Sequence, residues 1–247
     1  MSCAGIRWCR RGRAPRYDRE MSRAGGAVQD PDAALARLLA GIAACRICRD
    51  TPVGGPANAL PHEPRPVCVA SSKARILIAG QAPGTRVHLS GRPFTDPSGD
   101  RLRDWLGVNE TQFYDPDLFA IVPMGFCFPG LDAKGGDLPP RRECAPAWRG
   151  KLMELMPQLR LVLVIGQYAH AWHLGRLKQK TLTETVRTWR TIVAESDPEC
   201  PVLPLPHPSW RNSGWIRKNP WFEADLLPEL KQLVAKQISF GDGIITS

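Results

Sequence analysis

The sequence predicts an α/β fold: a three-layer α/β/α domain with a central, mainly parallel four-stranded sheet. Three observations support this fold class. Short apolar runs alternate along the chain with segments of helical periodicity, as in successive βαβ units. The runs are nearly continuous, which is typical of parallel strands buried on both faces. The chain has 247 residues and 43% hydrophobic content, which is enough for one sizeable core.

Four of the apolar runs are the predicted strands, and they cover residues 75–79, 119–122, 159–165 and the segment that ends at His207. The run at 159–165 is almost wholly apolar, so we expect it in the interior of the sheet. Prolines weaken the signal of the last strand, because a proline has no N–H to donate to a neighbouring strand.

Helices are predicted around these strands, over residues 30–44, 99–106, 144–156, 166–174, 182–193 and 222–236. The first has leucine and isoleucine at helical spacing, with Asp30 or Asp32 as its cap. Ser98 is the expected N-cap of the second helix, and Pro157 ends the third. The segments 51–72 and 131–142 are rich in Gly and Pro and are expected to be loops.

The chain is basic, with a formal net charge of +9 and a pI of about 9.4. This charge suits a polyanionic partner such as nucleic acid. Part of it lies in an arginine-rich N-terminal segment without hydrophobic periodicity. We therefore expect residues 1–28 to be a disordered basic tail and residues 29–240 to form a single domain. Two interpretations of the tail stay open: it assists DNA binding, or its cations are only solvated.

Neither a membrane span nor a signal peptide is visible in the sequence. No apolar stretch approaches the ~18 residues of a transmembrane helix, and no apolar segment follows the N-terminal arginines. We therefore expect a cytoplasmic, nucleoid-associated monomer without a membrane partner. In a reducing compartment, free or metal-bound cysteines are expected in preference to disulfides.

Two motifs far apart in the sequence follow predicted strands. Residues 80–84 read Gly-Gln-Ala-Pro-Gly, and the chain continues with Gly-Arg-Pro-Phe at 91–94 and Ser-Gly at 98–99. His-Pro-Ser at 207–209 follows the last strand. Open α/β sheets bind ligands outside the carboxyl ends of their strands, so we expect the motifs to form one site.

In this order and spacing, the motifs resemble those of the uracil-DNA glycosylase superfamily, and the continuation at 91–99 is closest to its iron–sulfur, family 4-like branch. The resemblance covers residues from about 34 to about 234. It implies a DNA base-excision repair enzyme that hydrolyses the N-glycosidic bond of uracil, or of a related damaged base, and leaves an abasic site. Such an enzyme turns the nucleotide out of the duplex into a pocket.

The resemblance also implies roles for individual residues, although each ring could instead be purely structural. Phe94 would stack on the base, and His207 would donate a hydrogen bond to uracil O2 and stabilise the departing anion. Gln81 would contact the base edge or the flipped sugar-phosphate, and Ser209 a phosphate oxygen. Gly80, Ala82, Pro83 and Gly84 would also bind the substrate, since the amides around Ala82 and Gly84 can contact the base edge or the flipped sugar-phosphate. Pro83 and Gly84 allow the tight turn that this close approach needs.

The first motif departs from the family pattern at two positions. Ala82 stands where the most efficient glycosylases have a water-activating Asp, and Gln81 stands where the iron–sulfur branch has Glu. His88 is the favoured remaining candidate for orienting water, on position alone, with Asp96 and Asp100 as alternatives. A solvent-exposed loop histidine is the competing interpretation of His88.

A third departure concerns the choice of base. Pro123 stands where the iron–sulfur branch has the Asn that reads uracil. Either the backbone of residues 123–126 reads the base in its place, or the pocket accepts another base.

The segment after His-Pro-Ser interleaves aromatic residues with cations. Such a segment can wedge into the duplex and hold phosphates, and Arg211, Arg217 and Lys218 are the candidate phosphate contacts. In the alternative interpretation, Trp215 and Trp221 pack the segment onto the domain and the cations are solvated.

Four cysteines form a second candidate site. Cys45 and Cys48 form a C-x₂-C pair, Cys127 follows the second predicted strand, and Cys144 begins a predicted helix. On chemical grounds, four thiolates suit zinc and a [4Fe–4S] cluster equally. The resemblance implies the cluster, because the iron–sulfur branch places its ligands at matching positions. We expect a structural [4Fe–4S] cluster, with zinc or no metal as alternatives.

Three functions therefore stay open at this point. The leading one is a monofunctional glycosylase, because no lysine is placed by the motifs as a Schiff-base nucleophile. The second is a weakly active or inactive module that binds uracil-containing or abasic DNA. The third is an N-glycoside hydrolase that acts on free nucleosides or another small molecule.

Overall fold

The structure, a computed structural model, describes residues 30–242, so the predicted tail lies outside the described part of the chain. Within that part, strands β1 to β4 span Ile76–Ala79, Phe119–Ile121, Leu161–Ile165 and Val202–Leu205. They form one sheet in the order β2-β1-β3-β4, and every pair is parallel. This confirms the predicted sheet and the interior position of β3.

Helices α1 to α11 of the described residues span Pro31–Ala43, Ile47–Asp50, Thr85–Ser90, Pro97–Leu106, Glu110–Phe113, Gly150–Glu154, Gln167–Leu174, Leu182–Arg187, Trp189–Glu195, Ser213–Lys218 and Leu227–Asp242. Three 3₁₀ turns lie at Pro56–Asn58, Gly175–Leu177 and Trp210–Asn212, and π turns at Ala145–Arg149 and Phe222–Leu226. In the described part of the chain, no helix has both the length and the apolarity needed to cross a membrane.

Successive residues of each strand point to opposite faces of the sheet, and each face packs on its own helices. On β1, Ile76 and Ile78 pack in a core shared with α4 and α11. Leu77 and Ala79 pack in a second core shared with α1 and α6. Because both faces are covered, the strands are apolar on both sides, and the architecture is the predicted three-layer α/β/α fold.

Three predicted helices differ in detail. The helix expected at 222–236 opens with the π turn Phe222–Leu226 before α11 begins. The helix expected at 144–156 opens with the π turn Ala145–Arg149 before α6 begins. The helix expected at 182–193 is broken into α8 and α9 at Thr188. The Thr188 hydroxyl lies 3.2 Å from the Glu184 carbonyl and 3.1 Å from the Thr185 carbonyl, so it can donate to either, an interaction that competes with regular helix geometry.

The start of α4 also differs from its prediction. Asp96, not Ser98, holds the N-cap position, and the Ser98 hydroxyl donates to the Asp96 carboxylate at 2.7 Å. Pro97 accounts for the earlier start, because its fixed φ suits the first position of a helix. The short helices α3, α5 and α10 lie in segments without predicted structure, since four to six residues are too few to show helical periodicity.

The strand order determines where a ligand can bind. From β1 the chain passes to β2 on one side, and then crosses to β3 on the other side. Loops that leave the carboxyl ends of β1 and β3 therefore diverge, and a crevice forms between them. The loops after β1, β2 and β4 meet at this edge.

Candidate active site

The carboxyl edge of the sheet carries a cavity of about 290 Å³. Residues 80–87 line it from the β1 side, Pro123 lines it after β2, and His207 lines it after β4. Phe94 and Asp137 also line the cavity. The fold thus brings both predicted motifs to one cavity, as their position after parallel strands requires.

An outer groove of about 540 Å³ adjoins the cavity. The groove is lined by Ser209, Trp210 and Arg211, and it shares Gln81 and His207 with the inner cavity. The site therefore consists of two adjoining spaces that share part of their lining.

His207 is held by its own loop in a defined orientation. The Ser209 N–H donates to its Nδ1 at 3.2 Å, and the Asn212 side chain donates to its carbonyl at 2.7 Å. Arg101 anchors the same loop by donating to the Ser209 carbonyl at 3.0 Å. Because Nδ1 accepts a hydrogen bond, the neutral ring carries its proton on Nε2.

The charge state of His207 follows from its surroundings. Burial lowers the pKa of His207 below its ordinary value, and the nearby carboxylates of Asp96 and Asp137 oppose this shift only in part. The ring is therefore neutral near pH 7, and its Nε2–H is a donor without a full positive charge. Such a donor can stabilise negative charge on a leaving base.

Phe94 has an unusual backbone conformation. Its φ of 55° is the left-handed value that residues other than glycine rarely adopt. The Tyr114 hydroxyl lies 2.9 Å from the Pro93 carbonyl and 3.1 Å from that of Phe94, so it can donate to either. The half-buried Phe94 ring contacts Phe113 edge to face at 5.9 Å. Strain held in place by such contacts is often found where a side chain must be positioned for function.

The loop of the first motif is attached to the segment after β2. The Met124 N–H donates to the Gly80 carbonyl and the Gly125 N–H donates to the Gln81 carbonyl, both at 2.9 Å. The Gln81 side chain lies 3.5 Å from the Leu138 carbonyl and lines both parts of the site. The side chain of Gln81, rather than its carbonyl, is thus the group that can meet a ligand.

The same hydrogen bonds bear on one of the two alternatives for Pro123. The backbone of residues 123–126 has no N–H group left to donate to a base. The Phe126 N–H donates to Cys144 Sγ, and Pro123 has none. The fully buried Arg149 donates to the carbonyls of Val122 and Pro123 at 2.8 and 3.0 Å. Burial lowers the pKa of Arg149 to about 9.

The structure separates the three candidates for orienting water. His88 packs against His62 and Phe128, with ring centroids 4.6 and 5.8 Å away, and lines neither part of the site. Asp100 pairs with Arg103 on the surface and also lies off the site. We therefore do not retain His88 or Asp100 in that role. Asp96 lines both the cavity and the groove.

The groove carries cations and one exposed ring. Arg86 and Arg211 are exposed and line it, and the Trp210 side chain is 71% exposed beside them. Arg217 and Lys218, the other predicted phosphate contacts, are exposed in the last turn of α10 but line neither space. Arg86 was missed because it lies at the start of α3, in a segment predicted only as a motif loop.

The aromatic residues after His-Pro-Ser were predicted either to contact DNA or to pack onto the domain, and the structure packs two of them onto the domain and leaves one exposed. Trp215 packs against Phe222 at 5.6 Å and its Nε1 donates to Thr183 at 2.8 Å, and Trp221 packs on Trp215. These two rings are structural. Trp210 is the ring of this segment that remains free to contact a partner.

The four predicted ligand cysteines line one small second cavity. The Trp148 Nε1–H donates to Cys45 Sγ at 3.3 Å, in the same way as the Phe126 N–H donates to Cys144. A hydrogen bond from Cys127 lowers the pKa of Cys48 to about 7 and raises that of Cys127. No three Cys, His, Asp or Glu side chains between residues 30 and 242 are close enough to hold a single metal ion.

Comparison with known protein families agrees with this geometry. The family model described as the uracil DNA glycosylase superfamily matches residues 68–231, about two thirds of the chain. The match includes all the residues described above for the cavity and the groove. It begins after Cys45 and Cys48 and does not distinguish the iron–sulfur branch. On this match, the chain belongs to the uracil DNA glycosylase superfamily.

Proposed function

We propose that the protein is a monofunctional DNA glycosylase that hydrolyses the N-glycosidic bond of uracil, or of a closely related base, and leaves an abasic site. The observation that carries the proposal is the placement of His207 and Phe94 on one cavity of about 290 Å³, next to a groove that Arg86 and Arg211 line. The cavity holds the extruded base, and the groove holds the DNA backbone from which it is turned out.

Each group has a defined task in this reaction. Phe94 stacks on the base, and the Nε2–H of His207 donates to an oxygen of the base that becomes negative as the glycosidic bond breaks. A neutral donor fixed before the reaction stabilises this charge without reorganisation. Gln81 offers both a donor and an acceptor to the base edge.

The base itself is the open part of the proposal. With Pro123 in place of Asn and the N–H groups after β2 already hydrogen-bonded, Gln81 and His207 are the side chains that we propose read uracil. These two side chains offer fewer hydrogen bonds to uracil than a pocket that also contains the Asn. Release of base should therefore be measured on oligonucleotides that contain uracil, hypoxanthine or xanthine, in single and double strands, with normal DNA as the control. Release from none of them would reject the proposal.

A binding module without catalysis is the second candidate, and Ala82 is the observation that favours it. No carboxylate of the first motif can activate water. This candidate predicts tight binding to abasic or uracil-containing DNA without turnover. A hydrolase of free nucleosides is disfavoured by the cations of the groove, and equal rates on nucleosides and DNA would restore it.

Salt dependence tests whether the groove binds the DNA backbone. Arg86→Ala and Arg211→Ala should each weaken DNA binding and reduce the slope of log K against log [salt] by about 1. Lys73→Ala is the matched control, because Lys73 pairs with Asp117 at the opposite end of the sheet. The slopes can be measured by fluorescence anisotropy. If the salt slope is the same for all three variants, the groove does not hold phosphates.

We also propose that the four cysteines hold a [4Fe–4S] cluster with a structural role. The proposal is supported by their shared cavity and by N–H donors to two of the sulfurs, which are typical around thiolate ligands. A cluster binds each thiolate through a different iron, so it needs wider spacing than one zinc ion does. No residue lines both this site and the base cavity, so the cluster takes no part in the proposed reaction.

Metal analysis tests the cluster directly. Protein produced and purified without oxygen should be brown and contain about four irons and four sulfides per chain. Cys48→Ser should lose both. Cys68→Ser should keep them, because burial raises the pKa of Cys68 to about 12 and that side chain packs in the apolar core. Colourless, iron-free wild-type protein would show that the four cysteines hold no cluster.

A further inference from the structure

An acidic side chain lies at the boundary between the cavity and the groove, where no sequence motif indicated one. Asp137 lines both spaces. When the base occupies the cavity and the sugar-phosphate backbone follows the groove, the glycosidic bond lies at this boundary. A group placed there can reach C1′ of the flipped nucleotide.

We propose that Asp137 is a catalytic residue that orients the attacking water and accepts its proton, in place of the carboxylate that Ala82 lacks. The inference rests on the proposed glycosylase function. The position of Asp137 supports this proposal. A Cβ built on Gly84 would lie 3.6 Å from Asp137 Oδ2, so the carboxylate lies beside the motif loop, two residues from Ala82.

The Asp137 carboxylate is also available to a water molecule. It accepts no hydrogen bond from any residue in the described part of the chain, and it is exposed at the mouth of the cavity. Asp96, the other carboxylate at the boundary, accepts from the Ser98 hydroxyl at 2.7 Å and holds the N-cap position of α4. Both carboxylate oxygens of Asp137 are thus available to accept a hydrogen bond from water, whereas one of those of Asp96 already accepts from Ser98.

The loop that carries Asp137 is ordered by its own hydrogen bonds. The Asp132 carboxylate accepts from the N–H groups of Lys134 and Gly136, both at 2.8 Å. Leu131 and Asp137 form an isolated antiparallel bridge across the loop. A catalytic group on such a turn keeps its position without the substrate, which lowers the entropy cost of reaching the reactive geometry.

The charges around Asp137 suit a base. Although the side chain is exposed, the loop atoms around it remove part of the water from the carboxyl, and this desolvation raises its pKa, which makes the ionised form a stronger proton acceptor. The Arg211 guanidinium favours the ionised form, whereas Asp96 and Asp132 oppose it.

The proposed step balances in atoms and electrons. The water oxygen bonds to C1′ while the bond from C1′ to the base nitrogen breaks, and that electron pair leaves with the base. One water proton passes to Asp137. The anionic base, stabilised by the Nε2–H of His207, is then protonated, and Asp137 returns its proton to solvent. The net change is addition of one water across the glycosidic bond.

The test compares three isosteric variants: Asp137→Asn, Asp96→Asn and Asp100→Asn. Single-turnover release of base from a uracil-containing oligonucleotide should fall about 100-fold or more in Asp137→Asn. It should stay at the wild-type rate in Asp100→Asn. Affinity for an oligonucleotide with 2′-fluorinated deoxyuridine, which resists hydrolysis, should be unchanged. Formate should partly restore the rate of Asp137→Ala, which a merely structural role would not allow.

Other results would overturn the proposal. An Asp137→Asn rate equal to wild type, or a large loss confined to Asp96→Asn, would assign the water to another group. A loss of affinity for the fluorinated DNA that accounts for the lost rate would make Asp137 a binding residue. Inactive wild-type protein would instead reject the glycosylase function, and this inference with it.

Discussion

Replacing His207 by alanine is expected to reduce the single-turnover rate of base release by about 10²–10³-fold, roughly 3–4 kcal/mol of transition-state stabilisation. The ring has one proton, on Nε2, and its loop fixes that donor toward the cavity. Alanine removes the only part of the residue that meets the leaving base. DNA affinity should change little, because the groove cations are untouched.

His88→Ala is the matched control for this variant. His88 is a second partly buried histidine near the motif loop, and burial lowers its pKa as it does for His207, but it lies off the cavity. It should release base at nearly the wild-type rate. Equal losses in the two variants would show that the chemistry does not depend on the ring in the cavity.

Gly99→Ala should destabilise the protein by about 3 kcal/mol, near the upper end of the range for overpacking. Within a helix this change normally stabilises, because alanine has the higher helix propensity. Here a Cβ on Gly99 would lie 1.9 Å from the Phe94 carbonyl oxygen and 2.8 Å from its carbonyl carbon. Backbone cannot move aside as a flexible side chain can. The strained Phe94 turn would shift, so base release should fall as well.

Gly214→Ala is the control for this change. Gly214 is also helical, in α10, but a Cβ there would meet nothing within 4 Å. The variant should be as stable as wild type or more stable by about 0.4–1 kcal/mol. Chemical denaturation of the three proteins gives both values. Equal stability of Gly99→Ala and Gly214→Ala would contradict the close packing of Phe94 on α4.

The fold could be predicted because its strands are buried on both faces. β1 and β3 are continuous apolar runs for that reason, and each run lies between helical segments. The break at Thr188 and the π turn Ala145–Arg149 could not be predicted, since they depend on local hydrogen bonds and packing that periodicity does not record.

The candidate site was predictable where a motif carried it. Gln81, Phe94 and His207 belong to short motifs after strands, and the parallel sheet brings them to one cavity. Asp137 and Arg86 belong to no motif, and their place depends on how the loops fold back over the edge of the sheet. His88 was favoured by its distance along the chain, but α3 turns its ring toward Phe128 instead.

We propose that the cavity at the carboxyl edge of the sheet removes a base from DNA. The most direct measurement counts free uracil released per protein molecule from a duplex with one U·G pair, with a T·A duplex as the control. We predict release that exceeds one uracil per protein molecule and none from the control. Binding to the uracil duplex with no released base, even with protein in excess, would contradict the account and identify a binding module.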